Sequence, residues 1–399
     1  MKKIHRIMLI LMSCVVVISV SSCGRKPKSG QMNREVLFWA GLETYMGNVA
    51  LYRPNGQNRP LYYFDVTTKA GGVFCFDPTC EHKMPVRSDK GELIEQGCPA
   101  YDYSELAVYL TGDYMYYYSS NCLYRADRQG NNRKTITKLS KPYGIPMACC
   151  YTDEALYISY SFSYEYYKVE KEDGEPEWRV GELREKPEIG LLRIPYSGEG
   201  EEEIYHTDEY YEATIGEIEC CDGQIVFFLM WMDRPSNFVD MMNDPDWKAK
   251  ADEERRHTFI EAYDYRIATG DLKQLFAPRQ CIASFFFSET YGFLDDYGTL
   301  GLYRYDGEEA VKPEIGFWRI YPSTHDIIGW DYEKREGVMV SEKTGKVIKE
   351  SPLTWEDFNL YLAVGESYYG MVDNYKAYIS AADFWAGNKD GIIILPGQQ

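Results

Sequence analysis

The chain has 399 residues, with 62 acidic against 43 basic side chains and a net charge of −19. So acidic a body repels polyanions, which excludes nucleic acid and anionic lipid headgroups as its main partner. Aromatic residues make up 15% of the sequence and 36 of them are tyrosines, a composition that favours strands and half-wet surfaces.

The N-terminus reads as an export signal. Lys2, Lys3 and Arg6 precede an apolar run from Ile7 to Val20 that only Ser13, Cys14 and Ser19 interrupt. That run is short of the roughly 20 apolar residues a membrane span needs, and its length and flanks match a secretory h-region. It ends in Val20-Ser21-Ser22-Cys23-Gly24, which resembles the bacterial lipobox. The resemblance implies a diacylglycerol on the Cys23 thiol, cleavage of residues 1–22, and anchoring at the extracellular face of the cell membrane. Residues 23–32 then form a polar, basic, lipidated tether. Removing residues 1–22 leaves 40 basic against 62 acidic side chains, a net charge of −22. No second apolar run is long enough to span a bilayer.

From residue 33 to 399 a unit recurs. It opens on a short aromatic strand, Tyr114-Met115-Tyr116-Tyr117, continues through Leu123-Tyr124-Arg125-Ala126-Asp127, turns at Gly130 and closes with Thr135 to Leu139. Further copies begin at Ala155, Ile225 and Ile327. Leu302 to Gly307 belongs to another, Leu61 to Asp65 to an early one, and Leu360 to Ile379 to a last one. Alternation with period two makes half-buried strands, and Gly supplies the positive φ that tight turns demand. The turn glycines Gly130, Gly198, Gly270, Gly307 and Gly345 are 68, 72, 37 and 38 residues apart. The short intervals suit a four-stranded blade of roughly 40 residues, and the long ones imply insertions. The expected fold is all-β, a β-propeller of six or seven four-stranded blades, with seven preferred. Radial closure protects edges that one sheet alone would expose.

Two insertions break the pattern. Tyr164 to Pro187 is dense in Glu, Lys and Tyr and reads as a charged hairpin extension or loop. Between Trp231 and Thr258, Asp244-Pro245-Asp246 has the form of a helix start, and Trp247 to His257 is rich in helix formers, which predicts one short helical insertion. Its aromatic and charged residues, Trp231, Asp233, Arg234 and Trp247, are the candidate ligand-binding surface. The competing role for the two tryptophans is to pin the insertion onto the propeller.

Nine cysteines remain once Cys14 and Cys23 are set aside. A cluster reads Cys75-Phe76-Asp77-Pro78-Thr79-Cys80-Glu81-His82, followed by Cys98-Pro99-Ala100-Tyr101. These residues resemble a segment of clostridial and related Gram-positive lipoproteins of propeller type, labelled as domains of unknown function. The match is Cys75, Pro78, Cys80, His82, Cys98, Ala100 and Tyr101, and the spacer from Lys83 to Gly97 is longer than in that family. The resemblance implies an extracellular anchored propeller and transfers no chemistry. Cys75, Cys80, His82 and Cys98 suit a tetrahedral structural zinc. Export favours the competing reading, one disulfide among the three cysteines with a free thiol and an uninvolved His82. No other cofactor is expected. The vicinal pairs Cys149-Cys150 and Cys220-Cys221 each precede a blade-opening strand and read as repeat ancestry.

No catalytic set assembles. There is no Gly-x-Ser-x-Gly elbow, phosphate-cradling glycine loop or His-Glu-x-x-His motif. The expected function is a membrane-anchored, extracellular, non-catalytic platform for an unidentified ligand or protein. The alternative is a propeller enzyme acting on extracellular glycans through acidic residues at the channel mouth.

Overall fold

The computed structural model describes residues 36–398 apart from 40–42, 47, 55–58, 76, 88–92, 96, 102–106, 112, 129, 144–145, 171–175, 222, 236–252, 255, 282, 288–289, 295–297, 322 and 324–325. Seven antiparallel meander sheets of three to five strands follow one another along the chain and form the blades of a β-propeller. A separate two-stranded pair, Val86–Arg87 with Leu93–Glu95, lies between the first and second blades.

Blade 2 shows how the recurrent unit folds. Its strands are Tyr109–Leu110, Tyr114–Ser119, Cys122–Asp127 and Lys134–Lys138, paired in that order. The sequence unit is therefore the second, third and fourth strands of a blade. The first strands, such as Cys149–Tyr151 in blade 3 and Phe317–Tyr321 in blade 6, form the inner edge and contact the first strand of the next blade. Cys149 and Cys150 sit in such an inner strand, as do Cys220 and Cys221 in Tyr211–Cys221, rather than ahead of the blade.

The expectation of half-buried strands holds for an outer strand such as Val347–Thr354 and fails at both extremes of a blade. The second strands Thr290–Leu294 and Ile327–Asp331 are buried at every residue, whereas the outermost Asp271–Gln274 is exposed at every residue. A blade is sandwiched between two neighbours, so both faces of its inner strands are covered and read as continuous apolar runs.

All five turn glycines join a third strand to a fourth, and all have positive φ, from 69° to 90°. At three blades an aspartate at the end of the third strand, or within the turn after it, caps this turn. Asp65 accepts from the Thr67 amide at 2.8 Å, Asp127 from the Asn131 amide at 2.7 Å and Asp306 from the Glu308 amide at 3.0 Å. Blade 5 has three full strands, its fourth reduced to the bridge between Tyr303 and Glu309. In blade 7 the helix Ala381–Ala386 replaces the turn, with the Ser380 hydroxyl accepting the Asp383 amide and Gly387 as a left-handed C-cap.

Blade 1 has five strands, Val36–Trp39, Glu43–Met46, Val49–Tyr52, Tyr62–Asp65 and Ala70–Val73, and blade 7 ends at Ile393–Ile394. Neither blade borrows a strand from the other. The ring closes instead by packing: Tyr45, Tyr52 and Phe64 of blade 1 share one core with Leu360, Tyr369, Tyr378 and Ile379 of blade 7. Within it the Tyr52 hydroxyl donates to the Pro396 carbonyl at 3.1 Å. The Lys376 ammonium pairs with the buried Glu43 carboxylate, which also accepts from the Tyr45 hydroxyl at 2.5 Å. Among the described residues no helix is long and apolar enough to cross a membrane. Residues 1–32, with the export signal, Cys23 and the tether, lie outside the described residues.

Candidate functional face

The topology sorts the connections onto two faces. In a four-stranded meander with parallel inner strands, the second-to-third connection and the link to the next blade emerge on one side. The first-to-second and third-to-fourth connections emerge on the other. Here the second side carries short turns and the blade 7 helix. The first side carries every long excursion: the connection from Val73 to Tyr109, the hairpin arm of blade 3, and the insertion between Met232 and Thr258.

The arm is the extension expected at Tyr164 to Pro187. Strands Ala155–Glu170 and Pro176–Pro195 stay paired out to Glu170 opposite Pro176. It displays Tyr164, Tyr167, Val180 and Leu183 to solvent, Leu183 at 67% exposure.

At the base of the blade 4 insertion, Trp231 is held on all sides. Tyr210 stacks on it at 4.4 Å and Phe259 at 4.7 Å between ring centroids, and its indole N–H donates to Glu261 at 2.7 Å. Buried Glu261 also accepts from the Tyr263 hydroxyl at 2.6 Å and from Gln274 at 2.8 Å. Asp233 and His257 meet at 2.8 Å, and Arg234 pairs with Glu254 at 3.1 Å. These contacts clamp the two ends of the insertion together. Glu253 and Glu254 are helical, Arg256 and His257 form a turn in place of the expected last helical residues, and Trp247 to Asp252 and Arg255 lie outside the described residues.

The connection after blade 1 brings Cys75, Cys80, His82 and Cys98 together, with one donor atom of each within 4.8 Å of all the others. Cys98 is buried, its sulfur 3.5 Å from His82 Nδ1, and none of the three cysteines is in a disulfide. Tight turns build the site. The Cys80 amide donates to the Asp77 carbonyl at 3.1 Å, and the His82 amide donates to Cys80 Sγ at 3.4 Å with His82 at a φ of 54°. Burial pushes the Cys98 thiol up to about 12 and raises that of Cys75 as well. Three thiols and an imidazole in this arrangement suit a thiophilic cation, which would offset that cost. The thin strand pair beside the site exposes Val86 and Ile94, and Met84 just before it is exposed as well.

A fourth feature has no counterpart in the sequence reading. On blade 6, Trp318 and Trp355 meet edge to face at 5.5 Å. Arg335 lies over Trp318 at 4.4 Å and Tyr332 at 5.3 Å, and Arg319 over Trp318 at 4.9 Å. Tyr332 is 44% and Trp355 36% exposed. The residues come from the start of an inner strand, a second-to-third turn and an inter-blade link, all on the long-loop face. The only local signal was the dipeptide Trp318-Arg319.

No family model matches the chain, and no curated sequence does. Among solved structures it is similar to BamB from Moraxella catarrhalis, at 11% identity and a TM-score of 0.40, covering 92% of this chain and 95% of that one. The Dos1 propeller matches at 8% identity and a TM-score of 0.40, over 88% of this chain and 84% of that one. Dipeptidyl peptidase 4 of Porphyromonas gingivalis matches at 10% identity and a TM-score of 0.43, over 85% of this chain but 48% of that one, so the chain spans about half its length.

Proposed function

We propose that this protein is a lipid-anchored extracellular propeller that binds a ligand or partner protein, without catalysis, through its long-loop face. The observation that carries the reading is the one-sidedness of the molecule. The arm, the insertion from Asp233 to His257, the cysteine–histidine connection and the Trp–Arg patch all rise from the same face, and the other face is nearly bare. Rigid scaffolds concentrate recognition on loops whose length is free to vary. Tyr, Trp and Arg, which make up the blade 6 patch, are the residues most enriched at binding hot spots.

The anchor in this reading is lipid on Cys23. Replacing Cys23 by Ser is expected to release the protein from the membrane fraction into the medium, and retention of that variant would overturn the anchoring. The binding face is tested by photo-crosslinking side chains placed in the anchored protein at Leu183 and Tyr332, and at Thr269 and Thr344 on the bare face. Protein adducts are expected at the first two sites and not at the second two. Equal labelling of both faces, or none on either, would refute the assignment.

A further inference from the structure

We infer that Cys75, Cys80, His82 and Cys98 hold one zinc ion in closed tetrahedral coordination, and that this ion rather than a disulfide fixes the connection between blades 1 and 2. Zn–S bonds of about 2.3 Å place tetrahedral ligands roughly 3.8 Å apart. The four donor atoms already lie within 4.8 Å of one another, so sub-ångström to ångström adjustments close the shell. A disulfide would use two of the three sulfurs and leave the third beside an imidazole with no task.

The neighbouring groups are arranged for a metal. His82, a non-glycine residue in the left-handed region, turns its backbone amide onto Cys80 Sγ at 3.4 Å. That conformation is strained for a residue with a Cβ, and it is also what brings the ring to Cys98. An amide donor at a sulfur favours the thiolate form a metal requires. The nearby carboxylates are engaged elsewhere. Asp77 accepts from the amide and hydroxyl of Thr79, at 2.8 and 2.7 Å, and Glu81 pairs with Lys83 at 2.5 Å. The donor set is thus three sulfurs and one nitrogen, which selects zinc over magnesium or calcium. Four protein ligands leave no open position, which makes the site structural.

The connection needs such a fixture. Among its described residues the regular elements are strands of two and three residues and the short turn Pro99–Tyr101. Phe74, Cys98, Ala100 and Val108 are its buried contacts with the core of blades 1 and 2, joined by the half-buried Cys75, Cys80 and Tyr101. A metal tying Cys75 to Cys98 holds both ends of the excursion on that core. The site goes beyond the binding reading, because metal content can fail while the crosslinking pattern stands.

The test uses the full chain extracted in mild detergent without added reductant. One zinc per chain is expected by elemental analysis. Exchange with cobalt(II) is expected to give the visible bands of tetrahedral thiolate coordination. Three additional thiols should react with a disulfide reagent only after a chelator is added. Loss of a supporting partner alone weakens metal sites ~10–100-fold, so His82→Ala and Cys98→Ser are each expected to weaken binding ~100-fold or more. His82→Ala keeps the test valid if Cys98→Ser fails to fold. Substoichiometric zinc that both variants retain would mark an adventitious ion and refute the site. A two-hydrogen mass deficit mapped to any pair among Cys75, Cys80 and Cys98 in the protein as isolated from cells would refute it too.

Discussion

The ring closes without a shared strand, so the seam between blades 1 and 7 is the place to break it. Lys376 and Glu43 pair across that seam with side chains only 15% and 5% exposed. Burial lowers the Lys376 ammonium to about 8, which leaves it mostly protonated at neutral pH. Lys376→Met leaves the Glu43 carboxylate buried with the Tyr45 hydroxyl, itself 2.9 Å from that of Tyr361, as its remaining support. Stranding one member of a buried pair costs about 3–5 kcal/mol. Replacing both members with apolar side chains of similar volume, Lys376→Met with Glu43→Leu, should recover most of that loss. The control is Lys389→Ala, which removes a pair to Asp357 whose lysine is 63% exposed, and it should cost about 1 kcal/mol or less. Urea unfolding gives the comparison, provided the slope stays constant while the midpoint moves. If Lys376→Met costs no more than Lys389→Ala, the buried pair does not hold the seam, and apolar packing alone closes the ring.

Gly345→Ala should destabilise the protein by at least ~1–2 kcal/mol in the same assay, because φ is +69° and the new Cβ would lie 2.3 Å from the Lys312 carbonyl oxygen. An unchanged midpoint would show that the blade 6 turn relaxes freely. Cys149 and Cys281 are pushed up to about 12 by burial, and Cys150 is raised by its hydrogen bond to Cys220 and by burial. These three thiols should resist iodoacetamide at pH 8 in the folded protein and react once it is unfolded, as mass mapping would report; labelling in the folded state would contradict their placement. The Lys389 ammonium, followed by Thr354, holds the Asp357 carboxyl below its ordinary value. A depressed carboxyl stabilises the fold above its unfolded pKa, and that contribution is lost as pH falls through the folded value. Asp357→Asn should therefore flatten the acid limb of stability against pH, and an identical limb would show that the pair carries none of it.

The blades were legible because two signals coincide. Aromatic and aliphatic runs mark the second and third strands, and Gly130, Gly198, Gly270, Gly307 and Gly345 mark the same connection in five successive blades. The signal fades where physics allows a substitute. Blade 1 makes that turn with Lys69 at a φ of 57°, and blade 7 replaces it with a capped helix. Cys149–Tyr151 went unread as an inner strand because it is only three residues long and buried at every residue, which leaves no alternation to see. The cysteine–histidine cluster was visible because its ligands lie close in sequence. The Trp–Arg patch was not, since Trp318, Tyr332, Arg335 and Trp355 meet only when three separate connections reach one face.

That face has a direction relative to the chain's entry. Val36–Trp39 runs antiparallel to Glu43–Met46, the strand in blade 1 that corresponds to the inner strands of the other blades. It therefore starts on the bare side of the propeller. In the proposed anchoring, residues 23–35 lead from the lipid to that side, and at up to ~3.6 Å per residue they reach no further than roughly 47 Å. A tether fixed there turns the bare face toward the bilayer and the long-loop face away from it. Long excursions near the membrane would meet headgroups that an acidic domain repels. Excursions on the far side are free to lengthen, as those of blades 3 and 4 have done. The chain thus enters on the side of the propeller opposite to the one on which its insertions accumulate.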